Sequence, residues 1–323
     1  MSQSLHIEVV KPQPSPTGGL ALFAIVRNED YFLPFFFEHY RSLGIENFLI
    51  YDDHSTAPTL DFLHAQPDCG VITSQRRFSD DFGLDALGAP LRLPQLLKET
   101  LPEIAFPGRW TLTVDADEFL VLPSGVGDLP AFTRLLDAAG QPYATAPMVD
   151  FYGETLDHRN YDRRLGPFAG NPYFDAGPYY EWGGEIQPRP IVAGLRYRLM
   201  VRLMLDFPET FERIYGRDVV GAAQWKTPLL KHGAGVRRIG DHAVSLAPQG
   251  GLAAALAHFK LYPDLDAKID LALSERQYAN QSKEYALLDA ARRLLSSRRL
   301  ACEATRRFTG PQSLEQAGLL RPA

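Results

Sequence analysis

The stretch TLTVDADEFLVLP, Thr111 to Pro123, sets three carboxylates, Asp115, Asp117 and Glu118, into an otherwise apolar run. Burying an ionised carboxylate costs several kcal/mol or more unless a cation compensates it. Asp115 and Asp117 flank one residue, so on a regular strand both side chains share a face. At a strand end, where the chain turns, such a pair can present oxygens to one hard divalent cation, with phosphate oxygens completing its shell. Mg²⁺ or Mn²⁺ carrying a diphosphate would balance the acids. A solvated acidic turn would also do so, as would pairing with arginines such as Arg109.

Three further stretches carry groups able to do chemistry. YDDHS, Tyr51 to Ser55, ends a second apolar run with Asp52 and Asp53; these are either turn residues or carboxylates placed to hydrogen-bond a base or ribose. In RNED, Arg27 to Asp30, Asn28 or Asp30 caps the following helix, or Arg27 and the loop backbone contact a nucleotide. In LAHFKLY, His258 is a satisfied core histidine or a neutral imidazole suited to Mn²⁺ beside carboxylates, and Lys260 suits a diphosphate. His232 and His242 are looser candidates. RRLLSSRRL, Arg292 to Leu300, is a solvated helix face or a basic amphipathic surface for anionic lipid. The GxxxxGK[ST], HExxH, GxSxG and dinucleotide-fingerprint patterns are absent.

The elements that must position these groups are legible as apolar runs. LALFAIV and NFLIYDD read as buried strands, GVITSQRRF as a third, and RWTLTVDADEFLVL as the next. Between them PFFFEHYRSLG reads as a helix with Pro34 in its first turn and Gly44 as terminator, and LRLPQLLKETLPEI as another. Strand–helix alternation at this spacing predicts βαβ units and an open, mostly parallel twisted sheet flanked by helices. Ligands bind such sheets beyond the carboxyl ends of the strands, where both acidic clusters fall. Pro142 to about Pro190 is rich in Gly, Pro, Tyr and Asp and reads as a loop-rich binding surface. GGLAAALAHFKLY and the run from Asp264 to Leu300 read as closing helices.

The 323 residues carry a formal net charge of -6, which points away from a nucleic-acid binder. Cys69 and Cys302 are too few for a disulfide framework, so a reducing compartment is expected. MSQSLHIEVVKPQPSPTGG lacks the form of a signal peptide, and no stretch reaches the roughly 20 apolar residues that span a bilayer. The expectation is a cytoplasmic protein without a transmembrane segment, with peripheral membrane contact through RRLLSSRRL as an option.

Taken together and in this order, the pieces resemble GT-A glycosyltransferases of the family-2-like group, which carry the pattern RNE…H…LG…DD.S…W…DxDEF. Here it stands as IVRNEDYFLPFFFEHYRSLGIENFLIYDDHS followed by RWTLTVDADEFLVLP. The C-terminal half is similar more loosely in PMVDFYGE, NPYFDAGPYY, WKTPLLK and LAHFK, and departs from the family's GG.R.R turn at AGLRYRL. The resemblance implies a nucleotide-sugar donor, usually UDP-linked, and a divalent cation. It divides the chain into an extension (1–19), a nucleotide-sugar-binding half (20–140), an acceptor-binding half (141–262) and a C-terminal helical region (263–323). It implies Asp117 as metal contact, Asp115 on ribose or metal, Asp52 or Asp53 on the base, and Arg27, Asn28 and Glu29 in the first nucleotide loop. His258 would be a third metal ligand and Lys260 a diphosphate contact. Glu118 is expected to support Asp117 or pair with an arginine, and Phe119 to join the core.

The implied activity is inverting transfer of a sugar, in polysaccharide biosynthesis or a similar route, to a glycan or lipid-linked acceptor. Inversion needs a base in the acceptor half; Asp175 is the first choice, with Asp150 and Glu185 as alternatives. Two other readings stand beside it. A nucleotidyltransferase would use similar acids but want a glycine-rich basic loop where RNEDYFLPFFF is acidic and aromatic. A non-catalytic nucleotide-sugar or glycan-binding protein could keep the same fold.

Overall fold

A computed structural model describes residues 5–14, 19–76, 80–84, 90–157, 162–181, 189–190, 194–216, 224–240, 242–246, 253–276 and 278–321. In chain order its first half contains β1 (Glu8–Lys11), β2 (Leu20–Val26), α1 (Phe32–Ser42), β3 (Ile45–Asp52), α2 (Ala57–Ala65), β4 (Cys69–Thr73), β5 (Asp81–Leu84), β6 (Pro90–Arg92), α3 (Leu93–Ala105), β7 (Trp110–Thr113), β8 (Glu118–Val121) and α4 (Leu129–Ala138). There follow β9 (Tyr143–Asp150), α5 (Pro167–Gly170), β10 (Tyr173–Asp175), β11 (Tyr180–Glu181), β12 (Arg189–Pro190), α6 (Gly194–Asp206), α7 (Pro208–Tyr215) and β13 (Trp225–Lys231). The chain closes with β14 (Arg238–Ile239), β15 (Ala243–Val244), β16 (Ala255–His258), α8 (Leu265–Glu275), α9 (Lys283–Leu295), β17 (Thr305–Arg307) and α10 (Pro311–Gln316).

Nine strands form one sheet in the order β1-β4-β3-β2-β7-β13-β9-β16-β8. All seven residues of β2 are buried, as a continuous apolar run predicts for a strand covered on both faces. β4, β3, β2 and β7 run parallel, joined by the helical crossovers that parallel pairing requires. Beyond β7 the pairing is mixed: β13 lies antiparallel to β7 and β9, whereas β16 is parallel to β9 and antiparallel to β8. The chain moves outward from β2 to β3 and β4, then returns to place β7 on the other side of β2. That reversal opens a crevice at the carboxyl ends of β2 and β7. α1 packs Phe32, Phe36, Phe37 and Tyr40 into the core, where Phe119 meets Phe36 and Phe259 edge-on.

Four local expectations change. The run from Arg109 to Leu122 is two strands, because a turn at Asp115–Glu118, closed by the Glu118 amide on the Asp115 carbonyl (3.1 Å), sends β8 to the far edge of the sheet. Ala255–His258 is a strand, not a helix: alanine favours helix intrinsically, but the slot between β9 and β8 offers ladder partners on both sides. β9 runs through the start of the segment read as loop. Glu8–Lys11, in the expected N-terminal extension, pairs with β4 at the sheet edge.

Two histidines make the fold sensitive to acid. The Leu120 carbonyl can only accept, so His39 Nε2–H donates to it at 2.9 Å. Burial pushes His39 down to about 4, against the upward pull of that carbonyl. Burial, with Arg238 nearby, takes His232 down to about 4 as well. Unfolded, both titrate near about 6.5. Between those values the unfolded chain binds more protons than the folded one, so stability is lost as pH falls from about 6.5 to about 4. The urea midpoint is expected to drop from about pH 7.5 to about pH 5, and to drop less in His39→Gln; equal drops would refute the assignment.

Candidate active site

The crevice holds a cavity of about 210 Å³. Its walls come from the end of β2 and the following loop (Arg27, Glu29), from α3 (Lys98), from the β7–β8 turn (Asp115, Asp117), from the residue pair after β16 (Lys260, Tyr262), and from α8 and α9 (Lys268, Tyr285).

The turn splits the two aspartates. Asp115 faces α3 and β13: Lys98 Nζ donates to its Oδ1 and Lys226 Nζ to its Oδ2, each at 2.7 Å. Burial alone would raise its pKa, yet Lys226 and Lys98 hold it well below the usual carboxylate range. Asp117 faces the other way, accepting from Lys260 Nζ at 2.9 Å with His258 Nε2 at 3.7 Å. Burial opposes its charge as well, and Lys260 and His258 outweigh burial and the repulsion of Asp115. Glu118 is almost fully buried; its Oε1 accepts from Lys226 at 2.6 Å and its Oε2 from the Asp115 amide at 3.0 Å. Burial raises the Glu118 carboxyl, with Lys226 pulling it down and both aspartates pushing it up.

Sheet register completes the arrangement. His258 lies opposite Glu118 across the β16–β8 ladder and opposite Asp150 across the β16–β9 ladder. Lys260, two residues on, falls on the same side as His258, while Phe259 enters the core. Ligand atoms of Asp117, Glu118 and His258 thus lie within 4.8 Å of one another, the one such group found among the described residues. Two carboxylates and an imidazole suit Mn²⁺ or Mg²⁺ chemically. Each carboxylate oxygen offers two lone pairs, so the lysine contacts leave acceptor capacity at the triad. The donor set fits a divalent cation.

The remaining candidates scatter. Asn28, at φ 54°, accepts from the Thr56 amide at 2.8 Å, and Asp30 accepts from Thr59 Oγ1, so both serve the start of α2 rather than α1. Asp52 accepts from the Ser55 amide and Asp53 from Arg27 at 3.5 Å; both aspartates are buried and neither lines the cavity. Arg27 also grips Glu275 of α8 through two hydrogen bonds of 2.7 and 2.8 Å, and Glu29 pairs with Lys268. Asp175, buried on β10, is held by Arg198 (2.7 Å) and Tyr152. Asp150 is buried against Arg196 and His258. Glu185 lies outside the described residues. His242 bonds the Trp225 carbonyl at 2.6 Å, and His232 is buried; neither lines the cavity. In RRLLSSRRL, Arg292 and Arg293 pair with Asp289, and Arg298 with Asp206, so acids offset much of the basic face. No helix among the described residues is long and apolar enough to cross a membrane.

Sequence reading did not set Glu118 among the candidate ligands with Asp117 and His258, where the fold brings the three together, and it did not single out Lys98, Lys226, Lys268 or Arg196. Lys226 stands in WKTPLLK, but nothing in that stretch signals which acid it meets.

The molecule is therefore a mixed α/β protein with a carboxylate–imidazole triad and several cationic side chains at the strand ends of its central sheet. No family model and no curated protein matches the chain. Similar solved structures include a protein assigned as a glucose-1-phosphate thymidylyltransferase from Bacillus anthracis, in complex with sucrose, with TM-score 0.27 and 8% sequence identity over 64% of this chain and 89% of that one. Another is a UDP-glucose pyrophosphorylase complexed with UDP-glucose, with TM-score 0.24 and 12% identity over 53% of this chain and 68% of that one. At these scores the likeness shows neither a shared family nor a shared activity.

Proposed function

We propose that the protein is a metal-dependent glycosyltransferase that takes a sugar from a nucleotide-sugar donor, UDP-linked in the first instance, to a glycan or lipid-linked acceptor. The observation that carries this is the meeting of Asp117, Glu118 and His258 beside Lys260, with Asp117 and Lys260 lining the cavity and Glu118 and His258 buried behind them. In this reading those three residues would hold Mn²⁺ or Mg²⁺, which offsets charge growing on the departing diphosphate. Lys260 releases Asp117 and binds phosphate oxygen, a role its flexible stem and retained charge allow. Burial disfavours that charge, but Asp117, Tyr285 and Glu284 hold the Lys260 pKa well above its ordinary value. Asp175 and Asp150 are not carried forward as the base, because arginine contacts hold the oxygens of both.

A second reading, nucleotidyl transfer, is favoured by one observation: Arg27, Arg92, Lys98, Lys260 and Lys268 line this cavity against Glu29, Asp115 and Asp117, so cations outnumber acids around it, as a triphosphate would want. Thermal melting with each nucleoside diphosphate, with and without Mn²⁺, tests the shared site. Ligand at about a hundredfold above Kd is expected to add about 2.7 kcal/mol, several degrees in Tm for a chain of this size, and only when Mn²⁺ is present. Flat melting curves with every diphosphate would refute both readings. Release of pyrophosphate from a nucleoside triphosphate plus a sugar 1-phosphate would then select nucleotidyl transfer, and loss of sugar from a nucleotide sugar would select glycosyl transfer.

A further inference from the structure

Asp150 ends β9 directly beside His258, the two being register partners on adjacent parallel strands. Both are almost wholly withdrawn from solvent, at 3% and 2% exposure. Asp150 Oδ1 lies 2.9 Å from His258 Nδ1, and the same oxygen accepts from Arg196 Nε at 2.8 Å. Asp150 Oδ2 accepts from the Arg196 backbone amide at 3.1 Å and from its Nε at 3.0 Å. The guanidinium extends to Glu284 in the first turn of α9, at 3.4 Å. α6 thus reaches the carboxylate behind the histidine through Arg196, and α9 backs that guanidinium through Glu284.

A carboxylate gripped by a guanidinium and a backbone amide stays ionised and can only accept. The hydrogen between Asp150 and His258 therefore belongs to Nδ1 of the ring. In a neutral imidazole that leaves the lone pair on Nε2, the nitrogen aimed at Asp117. We infer that Asp150, held by Arg196, is a positioning residue that locks His258 into the Nδ1–H tautomer and so presents Nε2 to the triad. Asp150 touches no reacting atom in this role. The inference rests on the proposed cation site only for its consequence, metal affinity; the tautomer itself is a property of the metal-free protein.

The test has two arms on the full chain. Nitrogen-15 spectra of ring-labelled histidine, with His258 assigned by its disappearance in His258→Gln and the pH raised until its ring is neutral, are expected to show Nδ1 protonated and Nε2 bare in metal-free wild type. An Nε2–H tautomer there would overturn the inference. Titration with Mn²⁺ alone, followed by electron paramagnetic resonance, is expected to show binding weakened by about 10–100-fold in Asp150→Asn. This isosteric variant keeps a hydrogen-bonding group against Arg196, and a cooperative melt confirms that it has folded. Unchanged affinity in a folded Asp150→Asn would overturn the inference. Failure of wild type to bind Mn²⁺ at all would sink the proposed cation site and leave the tautomer to be decided by the spectra. A residue with a merely structural role would move neither the ring shifts nor the Mn²⁺ affinity of folded protein.

Discussion

Asp117→Asn is expected to weaken Mn²⁺ binding by about a hundredfold or more, because at the proposed cation site it removes the charge of a direct ligand and should exceed the change typical of supporting residues. Mn²⁺-dependent stabilisation by nucleoside diphosphate should vanish with it. The metal-free fold should survive. The Asp117 side chain keeps 16% exposure at the turn, and the change relieves its repulsion with Asp115 and Glu118 while loosening Lys260, which keeps Glu284 and the Tyr285 ring nearby. Titration of Mn²⁺ into wild type and variant, with melting curves of both metal-free proteins, checks this. Asp115→Asn provides the contrast. Asp115 is already compensated by two ammonium groups, so its loss should alter Mn²⁺ affinity much less. If Asp115→Asn proved the more damaging to Mn²⁺ binding, the cation would belong on the other side of the turn.

Arg196→Met is expected to be the most destabilising single change near the site. It removes the guanidinium from a pair in which both side chains are about 95% buried, leaving Asp150 charged with only His258 as side-chain partner. Breaking a buried pair from one side costs about 3–5 kcal/mol, because the surviving charge has lost its solvent and its partner together. Glu284 loses a neighbour too, but it is one-third exposed and water can compensate it. Urea unfolding at neutral pH should show the midpoint falling with little change in slope. A partial recovery is expected in Arg196→Met/Asp150→Leu, which removes the orphaned charge. A near-neutral Arg196→Met would mean that Asp150 takes up a proton cheaply, and would remove the reason for assigning its hydrogen bond to the ring.

The parallel part of the sheet was readable because burial on both faces demands unbroken apolar runs, and LALFAIV and NFLIYDD have no other use for so many large side chains. β16 was not readable. Ala255, Leu256 and Ala257 carry helix-favouring residues, and only the ladder partners on β9 and β8, contributed by chain more than a hundred residues away, make them a strand. DADEF shows the same limit at a smaller scale. Its acids are visible as acids, but the turn that splits them depends on where β8 pairs. Asp175 looked like an acceptor-side base from its aromatic turn, yet Arg198, some twenty residues on and in another element, meets it in the fold.

By itself the sequence determined that an α/β sheet forms, that its strands end in carboxylates, and that a histidine and a lysine two apart follow in a later apolar segment. Those are local facts, set by hydrophobic periodicity and side-chain chemistry. Only the tertiary structure decided which charges meet. Lys98 and Lys226 take Asp115, Lys260 takes Asp117, and Asp150 with Arg196 stands behind His258. The energy of a charge depends on what lies within a few ångströms of it, and that distance is set by strand order and register.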